Sequence, residues 1–180
     1  MSEKPDVEIV RECLAGNTKA FEVLVARYEK PVFNVALRFI SNYNDAVDVA
    51  QNSFIKAFNN LHSFDTTKHF FSWLYRIAIN ESLNYLKTRK QFEALDDDQT
   101  PLTPSPDDSF DRAESDATIQ GALMRLNNEQ RMVIVLRHFQ NLSYGEIGSI
   151  LNIPEKTVKS RLFSARQNLK EILLRIGMKL

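Results

Sequence analysis

The sequence predicts an all-α fold: two small helical domains joined by an acidic flexible linker, the C-terminal one a helix-turn-helix. Three observations carry this. Apolar residues recur at intervals of three and four over most of the chain, the spacing of a half-buried helix. That periodicity lapses between 91 and 116, QFEALDDDQTPLTPSPDDSFDRAESD, where three prolines and an acidic run stand instead. Residues 141–170, NLSYGEIGSILNIPEKTVKSRLFSARQNLK, then read as helix, tight turn, helix.

Residues 6–16 form a short helix with Val7, Val10 and Leu14 on one side and Gly16 as its stop. Asn17 or Thr18 caps a longer one, in which Phe21, Leu24, Val25, Tyr28, Val32, Val35, Ala36, Phe39 and Ile40 keep helical spacing. Pro31 lies inside that pattern at a cost of about 3 kcal/mol, so one bent helix or two abutting helices are expected. Asn44 or Asp45 starts the next helix. Its apolar stripe is Val47, Ala50, Phe54, Ala57 or Phe58, and Leu61; its other face carries Asp45, Asp48, Gln51, Asn52, Lys56 and Asn59. That polar face is either solvated or a docking surface.

Residues 64–90, FDTTKHFFSWLYRIAINESLNYLKTRK, pass from a polar loop into an aromatic-rich helix that ends in cations. Phe71, Leu74, Ile77, Ala78 and Leu86 suffice for a core face. The remaining aromatics beside Asn80, Asn84 and Lys87 are core, or else materials for stacking on unpaired bases.

The stretch 91–116 reads as an extended, self-repelling linker. The second domain begins near Ala117. Ile119, Leu123 and Leu126 mark one helix; Asn127 or Asn128 caps another containing Met132, Val133, Val135, Leu136 and Phe139. Ser143 and Glu146 have capping-box spacing, and Asn152 to Pro154 breaks the helix they start. In the last helix Val158, Leu162, Ala165 and Leu169 lie inward. From 155 to 180 seven Lys or Arg face two Glu, which suits a helix in the DNA major groove better than a plain helical hairpin.

Composition narrows the function classes. The chain is formally neutral, but nine acids and one arginine between 93 and 116 give −8 there, leaving +8 on the rest. Neutrality therefore does not exclude nucleic acid. One cysteine and three scattered histidines have no metal-ligand spacing, so neither a metal nor a cofactor is expected. Neither a catalytic site nor a phosphate-cradling Gly loop is apparent. The sequence has no apolar run of membrane-spanning length and starts without a signal-peptide core, so a cytoplasmic protein is expected.

Two basic helical modules on an acidic tether resemble the extracytoplasmic function sigma factors, the two-domain members of the sigma-70 family of bacterial RNA polymerase. AFEVLVARYEKPVFNVALRFISNYNDAVDVAQNSFIKAFNNLHSF is similar to the family's first conserved block. HFFSWLYRIAINESLNYLK resembles the block that melts and reads the −10 element. LSYGEIGSILNIPEKTVKSRLFSARQNL resembles the −35 reader. The resemblance implies a region 2-like domain over 1–90, the linker over 91–116 and a region 4-like domain over 117–180.

It also implies sites. Asp45, Asp48, Gln51, Asn52, Phe54 and Lys56 would dock on the clamp helices of the polymerase largest subunit. Phe64, Lys68, Phe70, Phe71, Tyr75, Arg76, Asn80, Asn84 and Lys87 would hold the melted −10 non-template strand, a flipped base included. Lys156, Thr157, Lys159, Ser160, Arg161, Phe163, Ser164 and Arg166 would touch the −35 duplex. Further partners implied are the flap of the second-largest subunit and an anti-sigma factor. Asn52 stands where the family usually has Glu, Lys156 where Gly is common and Ser164 where Arg is frequent. The rival readings are a self-sufficient helix-turn-helix regulator and a helical enzyme acting on nucleic acid.

Overall fold

The computed structural model describes residues 4–93 and 110–178. Among these the elements are helical: α1 (Asp6–Leu14), α2 (Phe21–Ile40), α3 (Tyr43–Asn59), α4 (Phe70–Glu93), α5 (Phe110–Met124), α6 (Asn128–Ile134), α7 (Tyr144–Leu151) and α8 (Glu155–Arg175). Short 3-10 turns at Thr18–Ala20 and Leu61–Ser63 and a π turn at Val135–Phe139 connect some of them.

Helices α2, α3 and α4 pack on one another with α1 laid across α2; α5, α6 and α7 gather around α8. A single apolar cluster runs from Ile9 to Ala165 through both groups, and α4 packs against α7 where they meet. Pro31 sits within one continuous α2. Leu24, Val32, Val35, Ala36 and Phe39 are fully buried along that helix, and their burial, at roughly 1.5–3 kcal/mol per large side chain, outweighs the cost of one proline.

Two faces are rotated from expectation. On α1 the buried residues are Ile9, Val10 and Cys13, while Leu14 is 49% exposed. Asp6 sets this rotation, since its carboxylate accepts from the Tyr28 hydroxyl at 2.6 Å and from the Arg27 guanidinium. On α3 the stripe is Ala46, Val49, Ala50, Ser53, Phe54 and Ala57, with Val47 only half-buried. Ser53 is tolerated there because its hydroxyl donates to the Val49 carbonyl at 2.7 Å. The N-cap of α3 is Asn42, whose side chain accepts from Asp45 N at 3.1 Å.

Both ends of the expected linker are helical: α4 extends to Glu93 and α5 begins at Phe110. The segment FDRAESDA has neither Pro nor Gly, and acidic residues early in a helix suit its dipole. The rest of that expectation, residues 94–109, lies outside the described residues.

Candidate nucleic-acid interface

The turn between α7 and α8 is built from three local devices. Ser143 Oγ accepts from Glu146 N at 3.2 Å, while Ser143 N donates to Glu146 Oε2 at 2.7 Å, completing the capping box. Hydrogen bonds from Ser143 hold the Glu146 carboxyl below its ordinary range. Asn152 closes α7 in the left-handed conformation at φ 54°, which Asn tolerates better than most residues. Gly148 lets the turn fold back tightly, since a Cβ there would meet the Ile153 carbonyl oxygen at 2.8 Å. That contact fixes how closely α8 follows α7, and no periodicity signals it.

Along α8, Val158, Leu162 and Ala165 are buried as expected, Leu169 is half-buried, and Leu173 extends the row. The outward face presents Lys156, Lys159, Ser160, Phe163, Ser164 and Arg166, all exposed. Phe163 is 67% exposed, a large apolar surface left among cations and hydroxyls. Thr157 is half-buried. Arg161 does not join this face: two residues from Phe163, it points about 200° away and reaches Glu129 on α6 at 3.0 Å.

Three residues absent from the sequence expectation border the same surface. Tyr144 lies under the Arg137 guanidinium at 5.1 Å and the Lys159 ammonium at 5.7 Å. His138 Nε2 accepts from Arg166 Nε at 3.2 Å. Burial, then Arg166 and Arg137, push the His138 pKa down. They escape notice in the sequence because they come from the π turn and the start of α7, outside the recognition helix.

The loop before α4 is tied by Asp65, whose Oδ1 accepts from Thr67 N at 2.9 Å and from the Thr67 hydroxyl at 2.7 Å. Those bonds lower the Asp65 pKa. Lys68 and His69 are exposed, and His69 stacks on half-buried Phe71 at 5.5 Å. Phe64 and Phe70 are 6% and 1% exposed and pack edge to face at 5.5 Å with Trp73 beside them. They are core beneath the loop and present no open ring to a base. Tyr75 is also buried; its pKa is pushed up to about 12 by that burial, and its hydroxyl donates to Gln140 Oε1 at 3.2 Å.

Between Arg76 and Lys87, what α4 exposes is one stripe. Arg76, Asn80, Asn84 and Lys87 fall within about 80° of one another on a helix of 3.6 residues per turn, and all four are exposed. Amides between two cations provide hydrogen-bonding edges along a track for phosphates.

On α3, Asp48, Gln51, Asn52 and Lys56 are exposed, and Lys56 is paired with Glu81 on α4 at 2.7 Å. Asp45 is half-buried beneath Tyr85, whose pKa is pushed up to about 12 by burial and by its hydrogen bond to that carboxylate. Phe54 is 8% exposed and belongs to the core, so it offers nothing to a docked partner directly. Ile55 stands instead in the middle of the polar face at 57% exposure, with Phe58, 40% exposed, at its edge. The signal was present in the sequence: Ile55 falls off the apolar stripe by helical spacing.

Among the described residues no group of three or more His, Cys, Asp or Glu is placed to hold a metal ion, and no helix is long and apolar enough to cross a membrane.

Comparison with known proteins settles the family. The family models described as Sigma-70 region 2 and Sigma-70 region 4 match residues 24–92 and 117–169. SigW of Bacillus subtilis, named as an extracytoplasmic function RNA polymerase sigma factor, is 34% identical over 91% of this chain and 94% of its own. The chain belongs to the extracytoplasmic function sigma factors. Similar relatives include RNA polymerase sigma-H factor of Pseudomonas aeruginosa, 32% identical over 96% of each chain, and the sigma-E factor of Escherichia coli K12, 33% identical over 93% and 94%. Among solved structures, CnrH in complex with the cytosolic domain of CnrY superposes with a TM-score of 0.72 at 27% identity, covering 93% of this sigma factor and 96% of CnrH. RpoE with the anti-sigma factor NepR from Bartonella quintana gives 0.69 at 25% identity over 86% and 97%. The protein is thus a promoter-specificity subunit of bacterial RNA polymerase, directing initiation by binding core enzyme and promoter DNA.

Proposed function

We propose that promoter recognition is divided between two surfaces of this sigma factor. The outward face of α8, with Lys156, Lys159, Ser160, Phe163, Ser164 and Arg166, reads the −35 duplex. The α4 stripe, together with the loop carrying Lys68, His69 and Phe71, captures the melted −10 non-template strand. Residues 1–90, 91–116 and 117–180 serve as strand-capture domain, linker and duplex-reading domain. The observation that carries this reading is the stripe Arg76, Asn80, Asn84 and Lys87 on one exposed side of α4.

Mechanistically, the polymerase supplies phosphodiester chemistry and this chain supplies differential binding; it performs no reaction itself. Lys and Arg on α8 neutralise phosphates, while Phe163 and Ser160 meet base edges in the major groove. Extruding a base costs a few kcal/mol of stacking, which contacts made only to single strand recover. Melting is then driven by strand capture without nucleotide hydrolysis. Ile55 is the apolar centre of the core-docking face, ringed by Asp48, Gln51, Asn52 and Asn59. Phe64, Phe70 and Tyr75 act by holding the strand surface from beneath. The protein works in the cytoplasm, and an anti-sigma factor restrains it, by analogy with RpoE of Bartonella quintana in its complex with the anti-sigma factor NepR.

The test is transcription in vitro from sheared genomic DNA of the source bacterium by sigma-free core polymerase, with transcripts sequenced from their 5′ ends. Addition of this protein should create discrete new starts sharing two spaced upstream motifs. Tight duplex binding by the protein alone with no new starts would favour a self-sufficient regulator instead.

A further inference from the structure

One flank of the outward face of α8 is built from more than that helix. Lys159 and Arg166 fall within about 20° of one another around it. Tyr144, from the start of α7, lies against Lys159 and against Arg137 of the π turn. His138, the next residue of that turn, accepts from Arg166 Nε at 3.2 Å, and both side chains are exposed. An imidazole nitrogen that accepts a hydrogen bond carries no proton, so His138 is neutral in this arrangement, with its proton on Nδ1. The bond occupies the Nε of Arg166 and leaves its two Nη groups, the fork that suits a phosphate, uninvolved in it.

We propose that His138 is a further contact of the −35 duplex, recruited by protonation: when backbone phosphates engage Arg166 and Arg137, His138 takes up a proton and joins them as an additional cation. The inference rests on the reading of α8 as the duplex-reading helix. The charge around the ring is one-sided. Burial first, then the guanidiniums of Arg166 and Arg137, hold the His138 pKa below its ordinary 6.5 in the free protein. The other charged groups on elements packed against the π turn are engaged elsewhere. Arg38 of α2 stacks on Phe139, Arg131 and Glu129 of α6 bond to carbonyls and to Arg161, and Glu146 of α7 closes its own cap. Among the described residues no carboxylate acts on His138, so the two guanidiniums stand unopposed until DNA arrives.

A phosphate beside Arg166 and Arg137 reverses that balance. Its charge offsets the guanidiniums and attracts the imidazolium directly, and both effects favour the protonated ring. The new Nε2 proton exchanges the bond from Arg166 for one given to a phosphate oxygen. That proton comes from solvent, so binding and pH are linked. Between the titration of the free protein and that of the complex, the complex holds more protons. Affinity therefore rises as pH falls through that interval and is flat above it. The added cation also releases a further counterion, so the slope of affinity against salt steepens by about one on acidification.

The probe is a fluorescein-labelled duplex carrying the −35 motif from the mapped starts, titrated with the full chain and read by anisotropy. Phe163→Ala tests the underlying reading separately: it should weaken binding at every pH, and if it does not, α8 is not the reading helix. From about pH 7.5 to about pH 5.5 the parent should bind about fivefold tighter, within the limit of roughly tenfold per pH unit for one proton. His138→Gln keeps an acceptor for Arg166 but does not titrate. It should match the parent within about twofold at the higher pH and gain less than about twofold on acidification. His138→Lys, charged throughout, should bind at the higher pH about as tightly as the parent does at the lower. Calorimetry in two buffers of unlike ionisation heat, midway through this range, should show net proton uptake by the parent and none by His138→Gln. Parent affinity that falls on acidification, or a rise of equal size in His138→Gln, would overturn the proposal.

Discussion

Arg131 is the residue whose removal the structure prices most fully. It is 4% exposed, and its guanidinium donates four hydrogen bonds: Nε to Leu123 O at 2.9 Å, Nη2 to Met124 O at 2.9 Å and Leu126 O at 3.1 Å, and Nη1 to Phe39 O at 3.2 Å. Two of these acceptors end α5, one lies in the turn that follows it and one ends α2, and burial lowers the Arg131 pKa. Arg131→Met keeps the stem's packing but removes every donor. Charge-assisted bonds at about 1.5–3 kcal/mol each set a ceiling, and release of the cation's desolvation penalty, several kcal/mol, offsets part of it. The carbonyls left without donors keep the net loss near 3–5 kcal/mol, comparable to the whole stability of a small domain. In urea, with a slope of about 2 kcal/mol/M, the first unfolding transition should move down by about 1.5–2.5 M. Arg131→Lys should recover part of this, because an ammonium has three donors. Unfolding of the full chain followed by far-ultraviolet circular dichroism is the assay. A loss below about 1 kcal/mol in Arg131→Met would refute the claim that these carbonyls depend on the guanidinium.

Three further outcomes are expected. Asn80→Ala with Asn84→Ala should impair open-complex formation, read by permanganate footprinting, with −35 duplex affinity unchanged; equal loss of both in a folded protein would sink the division of labour. Ile55→Ala should weaken core polymerase binding about five- to tenfold, since the exposed 57% of an isoleucine side chain is worth about 1–1.5 kcal/mol when buried; a change under twofold in an interferometry titration would remove Ile55 from the docking face. Glu146 has a folded pKa lowered by its bonds to Ser143, so its contribution is present above its ordinary value of 4.5 and lost as pH falls through the lower folded value. The stability gap between wild type and Glu146→Gln should therefore be largest near neutral pH and shrink below 4.5, and a gap that widens on acidification would contradict this sign.

The helix-turn-helix was legible because each of its signals is local: Ser143 and Glu146 three residues apart, Asn152 before Pro154, and inward residues at regular spacing on α8. The core of α2 was legible for the same reason, proline included. What escaped depended on partners distant in sequence. The rotation of α1 is set by Asp6 meeting Tyr28 and Arg27, contacts that no window of periodicity contains. Arg161 reads as a groove-facing cation until Glu129 and its angular offset from Phe163 are known. Among the aromatics of the strand-capture block, composition says only that there are more than a core requires. Tertiary packing decides that Phe64, Phe70 and Tyr75 go under the surface while Phe71 stays half open. Phe54 and Ile55 exchange roles for a simpler reason, being neighbours on one helix with only one on the stripe.

The two reading surfaces we propose differ in the way their targets would require. A duplex offers grooves and phosphates in fixed positions, so the outward face of α8 can keep Lys156, Lys159, Phe163 and Arg166 exposed, with internal contacts at the surface only: Lys159 with Glu155 and the Tyr144 ring, Arg166 with His138. A melted strand exists only once a promoter has begun to open, and a permanently exposed basic, amide-bearing track would bind any single strand it met. The α4 stripe has a partner for its first cation in the protein itself. Arg76 rests on the carbonyls at the end of α7, a weaker acceptor than the full charge of a phosphate.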